Sequence, residues 1–219
     1  MSERSTPVWR RPIWILGHVV ALTAVVAFAR LGLWQLDRLD EKQVRNRLIA
    51  ERSDGPPVAM TEIDADDAQY QHVTASGTFA ADDDHLIPYR SYQGTVGSHE
   101  VTPLVLDDGT AVLVLRGWVA DEPTPAPAGK VTIVGVLRAS GSSQTGVDVD
   151  EIAAALGREL FPLYLQQSAP DPDGEYPILL DPPTRDEGPH LSYAIQWFLF
   201  TGVVLVGYPI LLRRRIRAS

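Results

Sequence analysis

The sequence predicts a membrane α plus β chain. Two transmembrane helices flank an extracytoplasmic, antiparallel β-rich domain, a sandwich or open barrel with about one helix of its own. Three observations carry this. Apolar runs of membrane length lie toward the two ends, at 12–29 and 189–212, and no charged residue interrupts the second. Between them, short stretches of alternating apolar residues are separated by clusters of Pro, Gly and Asp, which is how small β folds read. Finally, charge is segregated: positions 54–188 hold 23 Asp and Glu against 6 Lys and Arg, and the other basic residues collect at the ends. Arg-rich flanks stay on the cytoplasmic side of a membrane, so both ends are expected inside and the middle outside.

The net charge of −9 and pI near 5.0 argue against nucleic acid as a partner, because phosphate binding needs clustered Lys and Arg. The absence of cysteine excludes disulfides, thiolate catalysis and cysteine-held metals. About 135 residues in the middle suffice for a core without such staples.

Taken in order, residues 1–11 form a cytoplasmic N-terminus with Arg4, Arg10 and Arg11, and 12–33 the first span. Ala27-Phe28-Ala29 has the small-x-small form of a signal-peptide cleavage site. However, the apolar run is longer than a usual signal core and resumes after Arg30 with Leu31-Gly32-Leu33-Trp34. Residues 34–52 continue with helical periodicity, Leu36, Leu39 and Val44 standing among Asp37, Arg38, Glu41, Lys42 and Arg45. This reads as an amphipathic extension of the first span. Residues 213–219 are a basic cytoplasmic tail. No Ser-rich amphipathic leader precedes Pro12, so a bacterial plasma membrane is expected.

The domain at 53–188 opens with Ser53-Asp54-Gly55-Pro56-Pro57, a helix breaker. Strands are predicted at 70–80, 85–89, 101–106, 111–119, 130–138, 161–167 and 176–180. Asp107-Asp108-Gly109-Thr110 is a hairpin turn. One helix is predicted after Asp148, whose side chain caps it with Glu151 three residues on; Gly157 ends it.

Little in this domain carries chemistry. His72, His85 and His99 lack metal-ligand spacing. Asp82-Asp83-Asp84 lacks the alternation, glycine and closing glutamate of a calcium loop and reads as a solvated acidic loop. Ser142-Ser143 is in no nucleophile-elbow context, and no Gly-rich phosphate loop follows a strand. Nothing supports an enzyme.

The second span starts with polar residues. With His190 as i, Tyr193, Ala194 and Trp197 fall at i+3, i+4 and i+7 on one helix face. Such a stripe at a membrane helix entrance needs a partner or ligand. The plain alternative is a capping histidine among interfacial aromatics. His18, deep in the first span, reads best as hydrogen-bonded to a neighbouring helix, with a second ligand role as the alternative.

Three stretches together resemble one family. They are Leu31-Gly32-Leu33-Trp34-Gln35-Leu36-Asp37-Arg38-Leu39 with Glu41-Lys42, Val112-Leu113-Val114-Leu115-Arg116-Gly117-Trp118-Val119, and Pro189-His190-Leu191-Ser192-Tyr193-Ala194-Ile195-Gln196-Trp197-Phe198. In this order they are similar to the signatures of the SURF1 family. The resemblance implies an assembly factor or accessory subunit of aa3-type cytochrome c oxidase that assists haem a insertion or stabilises the oxidase. It implies oxidase subunits in the membrane as partners, with a respiratory supercomplex as a further candidate, and haem a as a transient cofactor. His190 matches the family's proposed haem-iron ligand. Tyr193, Trp197, Trp34, Arg38 and Arg30 complete the candidate haem site, Arg30 and Arg38 as counter-ions for the propionates between two helices. Arg116, Gly117 and Trp118 read most simply as packing: an ion pair, a close backbone approach and a core aromatic. The alternative functions are a structural subunit that bridges the oxidase to partner proteins without haem, and a sensor or transporter accessory protein with a ligand pocket in the β domain.

Overall fold

A computed structural model describes residues 12–120, 122–141 and 145–218. Arg4, Arg10, Arg11 and the Ser142-Ser143 pair lie outside them. Among the described residues there are three α-helices and seven strands, in two compact units.

The helical unit runs to Asn46 and resumes at Asp186. Its first helix, α1 (Pro12–Ser53), is one unbroken rod of 42 residues, about 63 Å at 1.5 Å per residue. The span and the amphipathic extension are therefore a single element. The last helix, α3 (His190–Arg217), has 28 residues. Both are long and apolar enough to cross a membrane, and none of either one's most apolar stretch is buried within the protein. The Asp186 carboxylate accepts the Gly188 N–H at 2.9 Å just before α3. Arg214, Arg215 and Arg217 occupy its last turn, where the helix dipole favours cations.

The β unit, Arg47–Arg185, is built on β1 (Val58–Ala59), β2 (His72–Phe79), β3 (His85–Tyr92), β4 (Thr95–Leu106), β5 (Ala111–Val119), β6 (Lys130–Ala139), α2 (Val149–Leu156) and β7 (Leu163–Ala169). The sheet order is β1-β2-β6-β7-β5-β4-β3, and β2 also pairs with β4. That last pairing joins β2, β6, β7, β5 and β4 in a ring, with β1 and β3 attached outside it. The sheet is not purely antiparallel, as expected from sequence, but mixed: β5 runs parallel to β7 and β1 parallel to β2. A parallel pair needs a long connection, and the chain provides one by building β6 and α2 between β5 and β7.

Every residue of β5 is buried because both of its faces are covered. Val112 and Val114 point into the ring with Val73, Phe79, Leu104, Ile133, Leu137 and Leu165. Leu113 and Leu115 pack on the other side with Val149 and Ile152 of α2 and with Tyr164. The continuous apolar run Ala111–Leu115 is the sequence trace of this two-sided burial. At the end of α1, Ile49 is buried with Tyr70 and Val136. Arg52 there donates to the carbonyls of Asp67 and Gln69 at 2.7 and 3.1 Å.

Local signals placed the remaining elements. Gly109 has φ 87° in the β4–β5 turn, where the Asp108 carboxylate accepts the Thr110 N–H at 2.9 Å. Asp148 caps α2 by accepting from the Glu151 N–H at 3.1 Å, and Gly157 closes it at φ 62°. The strand predicted at 176–180 does not form. Only Ile178 pairs, exchanging two 2.8 Å bonds with Trp118, because Pro177 beside it has no N–H to donate.

Candidate functional site

Along α1, Gly32, Gln35 and Leu39 are buried at helical spacing. Gln35 is a polar side chain only 9% exposed, which needs a partner when taken from solvent. Its Oε1 lies 2.8 Å from His190 Nδ1 at the first turn of α3, 155 residues away. With the amide oxygen facing it, Nδ1 is the nitrogen that donates, and in the neutral ring Nε2 is then the one left with the lone pair. The Nε2 edge faces Gly188, which has φ 67° and no side chain; a Cβ there would lie 3.3 Å from Nε2.

Aromatic rings fill the seam deeper in the pair. Phe28 stacks on Trp197 at 5.6 Å between centroids, and Phe200 contacts both at 5.8 Å. Phe198 lies so close over Gly32 that a Cβ there would come within 2.7 Å of the ring. Further along, the Tyr208 hydroxyl and His18 Nδ1 are hydrogen-bonded at 2.6 Å. An apolar groove of about 720 Å³ opens beside them, lined by Gly17, Ala21, Ala24, Val204, Gly207 and Tyr208 among others.

The sequence-predicted site residues therefore divide. His190 and Trp197 face α1, and Ala194 between them is buried. Tyr193, expected on the same face, is 47% exposed. Trp34 and Arg38 meet each other rather than His190: the guanidinium lies 5.8 Å from the Trp34 ring centroid and pairs with Glu41 at 2.6 Å. Arg30 is exposed on α1. Gln35 belongs to the Leu31–Leu39 signature but was not among the candidate haem-site residues, and neither were Phe28 and Gly188. For Gln35 the signal was an uncharged polar residue in register with Gly32 on the inner helix face.

The β unit contains a second polar constellation. Glu100 is fully buried and Arg116 nearly so, with Arg116 Nη1 at 3.5 Å from Glu100 Oε1 and 3.9 Å from Asp84 Oδ1. Arg116 also donates to the carbonyls of Thr124 and Pro125 at 2.8 and 3.1 Å. The Thr124 N–H donates to Glu100 Oε1 at 2.6 Å, while Glu100 Oε2 is buried without a hydrogen-bond partner among the described residues. Burial pushes the Glu100 carboxyl above its ordinary range against the opposing pull of Arg116. Asp84 accepts from the Thr102 hydroxyl, and Asp83 pairs with Arg158 at 3.1 Å. Asp83 and Asp84 are thus tied to the domain rather than merely solvated, while Asp82 is exposed. Gly117 lets the backbone carbonyl of Ile178 approach, where a Cβ would sit 2.4 Å away. Trp118 is buried, its Nε1–H donating to the Arg90 carbonyl at 2.8 Å. His99 is buried with Nδ1–H donating to the Thr145 carbonyl at 2.8 Å, and burial lowers its pKa. The cleft beside Arg116 holds about 240 Å³, small beside the roughly 300–1,000 Å³ of ordinary ligand sites. Among the described residues no three His, Cys, Asp or Glu side chains gather as a metal site.

A model of the SURF1 family matches residues 22–202, a stretch that includes Gln35, the Arg116-Gly117-Trp118 strand end and His190 to Trp197. The chain belongs to the SURF1 family. Several SURF1-like proteins are similar to it over most of their length. One from Mycobacterium bovis, described as uncharacterised, is 32% identical over 236 residues, covering 95% of this chain and 86% of its own. One from Rickettsia bellii is 28% identical, covering 86% and 89%. One from Monosiga brevicollis is 27% identical, covering 87% and 85%. The SURF1 match starts beyond His18 and stops before Tyr208, so the inner polar pair lies outside it while the Gln35–His190 pair lies within.

Proposed function

We propose that this protein assists the biogenesis of an aa3-type cytochrome c oxidase and that His190 receives haem a during that process. The family is one of oxidase assembly factors and not an enzyme class. In this reading α1 and α3 anchor the chain in a bacterial plasma membrane with both termini cytoplasmic and the acidic β unit outside. Exposed apolar helix surfaces and the charge segregation support that anchoring.

One observation carries the haem reading: His190 is held through Nδ1 by Gln35, which leaves Nε2 for a ligand. A neutral imidazole with its other nitrogen bonded to an acceptor is the donor that haem iron takes. The residues fit that chemistry at His190 and Gly188. They fit less well elsewhere, because Phe28, Trp197 and Phe200 already fill the seam. His190 would hold the group at the first turn of α3, where Gly188 has no side chain. When bound, haem would supply an iron centre for His190, and Gln35 would orient the ring.

The engagement of Arg38 with Glu41 and Trp34 favours a second reading, a structural subunit that bridges the oxidase to partner proteins without haem. The two are separated by titrating ferric haem a into the full chain in lipid nanodiscs. Haem handling expects a shift of the haem Soret band that is absent in His190→Ala and in empty nanodiscs. The structural reading expects no such shift with the isolated chain, together with stoichiometric co-purification with the oxidase.

A further inference from the structure

We infer that Gln35 is a positioning residue that commits His190 to ligation through Nε2, and that Gly188 keeps that edge of the ring clear. The inference rests on the haem-handling reading and names what in the chain enforces it.

A free imidazole exchanges its hydrogen between two nitrogens, and only the bare one can ligate. Here the choice is made across the helix pair. Gln35 Oε1 lies 2.8 Å from Nδ1 and only accepts. Gln35 is buried on the inner face of α1 between Gly32 and Leu39, so its amide has little room to turn away. Gly188 acts on the opposite edge: at φ 67°, with a Cβ position 3.3 Å from both Nε2 and Cδ2, any side chain would crowd the lone pair and strain the backbone. A further consequence concerns charge. Histidine ligands are often backed by carboxylates, which raise their basicity. Gln35 is a neutral acceptor and leaves His190 a more moderate donor, suited to a group that is handed on rather than kept.

The test uses the full chain in nanodiscs with ¹⁵N-labelled histidine, His190 being assigned from its loss in His190→Ala. The wild type is expected to show hydrogen on Nδ1. In Gln35→Leu, whose apolar side chain suits a membrane helix, the ring is expected to redistribute toward hydrogen on Nε2. Titration with ferric haem a should then weaken about 10- to 100-fold in Gln35→Leu, the usual effect of losing such a partner. Gln35→Glu keeps an acceptor; it should restore binding and move the haem reduction potential negative. Gly188→Ala should weaken binding with the tautomer unchanged. A wild-type ring with hydrogen on Nε2 would overturn the inference, as would Gln35→Leu with wild-type tautomer and affinity. If the wild type shows the Nδ1 form, Gln35→Leu loses it, and neither binds haem a, then the haem reading falls while the tautomer control by Gln35 stands.

Discussion

The two units sort the same residue types in opposite directions. In the β unit, Val, Leu and Ile fill the interior, from Val73 and Leu104 to Leu165, and the acidic surplus is spread over the surface. In the helical unit, Ile13, Leu22 and Val203 are among the most exposed side chains, each about two-thirds exposed or more, while Gln35 is buried and joined to His190. An inside-out arrangement follows when the surroundings are lipid. Apolar burial then gives no drive for helices to associate, and close packing at small residues with a few polar contacts must hold them. Gly32 beneath Phe198 and the Tyr208–His18 bond supply both. The exception in the β unit makes the same point from the other side: its deepest charge, Glu100, is kept by Arg116 and by a Pro-rich loop whose carbonyls Arg116 holds.

If the β unit depends on that cluster, Arg116→Met should give the largest effect in the molecule. It leaves Glu100 buried and unpaired, a loss of about 3–5 kcal/mol, read as a fall in the chemical-denaturation midpoint of the full chain in detergent. A midpoint within experimental error of wild type would show that Arg116 is dispensable. In the helical unit, Gly32→Leu should separate the helices and cost about 1–3 kcal/mol by overpacking. Because the chain has no cysteine, a cysteine pair introduced across the seam reports this directly. Its cross-linking should drop in the variant, and unchanged cross-linking would contradict close packing at Gly32.

The pH dependence sharpens the contrast. The folded state raises the Glu100 pKa above its ordinary 4.5, so folding favours the protonated form. Its contribution to stability is fullest below 4.5 and is lost as pH rises through the elevated folded value. Glu100→Gln should remove that decline, leaving a flatter difference between stabilities measured across acidic to neutral pH. A parallel decline in both proteins would assign it to other groups. The smallest effect is expected for Tyr208→Phe, which deletes one bond within the helix pair. Such bonds average about 0.6 kcal/mol in membrane proteins, so a loss of several kcal/mol, measured by steric trapping of α1 from α3, would refute the idea that many weak contacts share the task.

Much of this was legible in the chain itself. The two apolar rods follow from uninterrupted runs, the β4–β5 turn from Asp107-Asp108-Gly109-Thr110, and the limits of α2 from Asp148 and Gly157, because hydrogen bonds a few residues apart decide all of them. His190 and Trp197 were readable as one helix face for the same reason. What tertiary structure alone decided was non-local: the β2–β4 pairing that closes the ring, the parallel β5–β7 pair, the failure of 176–180 to form a strand, and the meeting of Gln35 with His190 across 155 residues. A local pattern sets which face a side chain takes. Which partner waits on that face depends on how distant segments pack together.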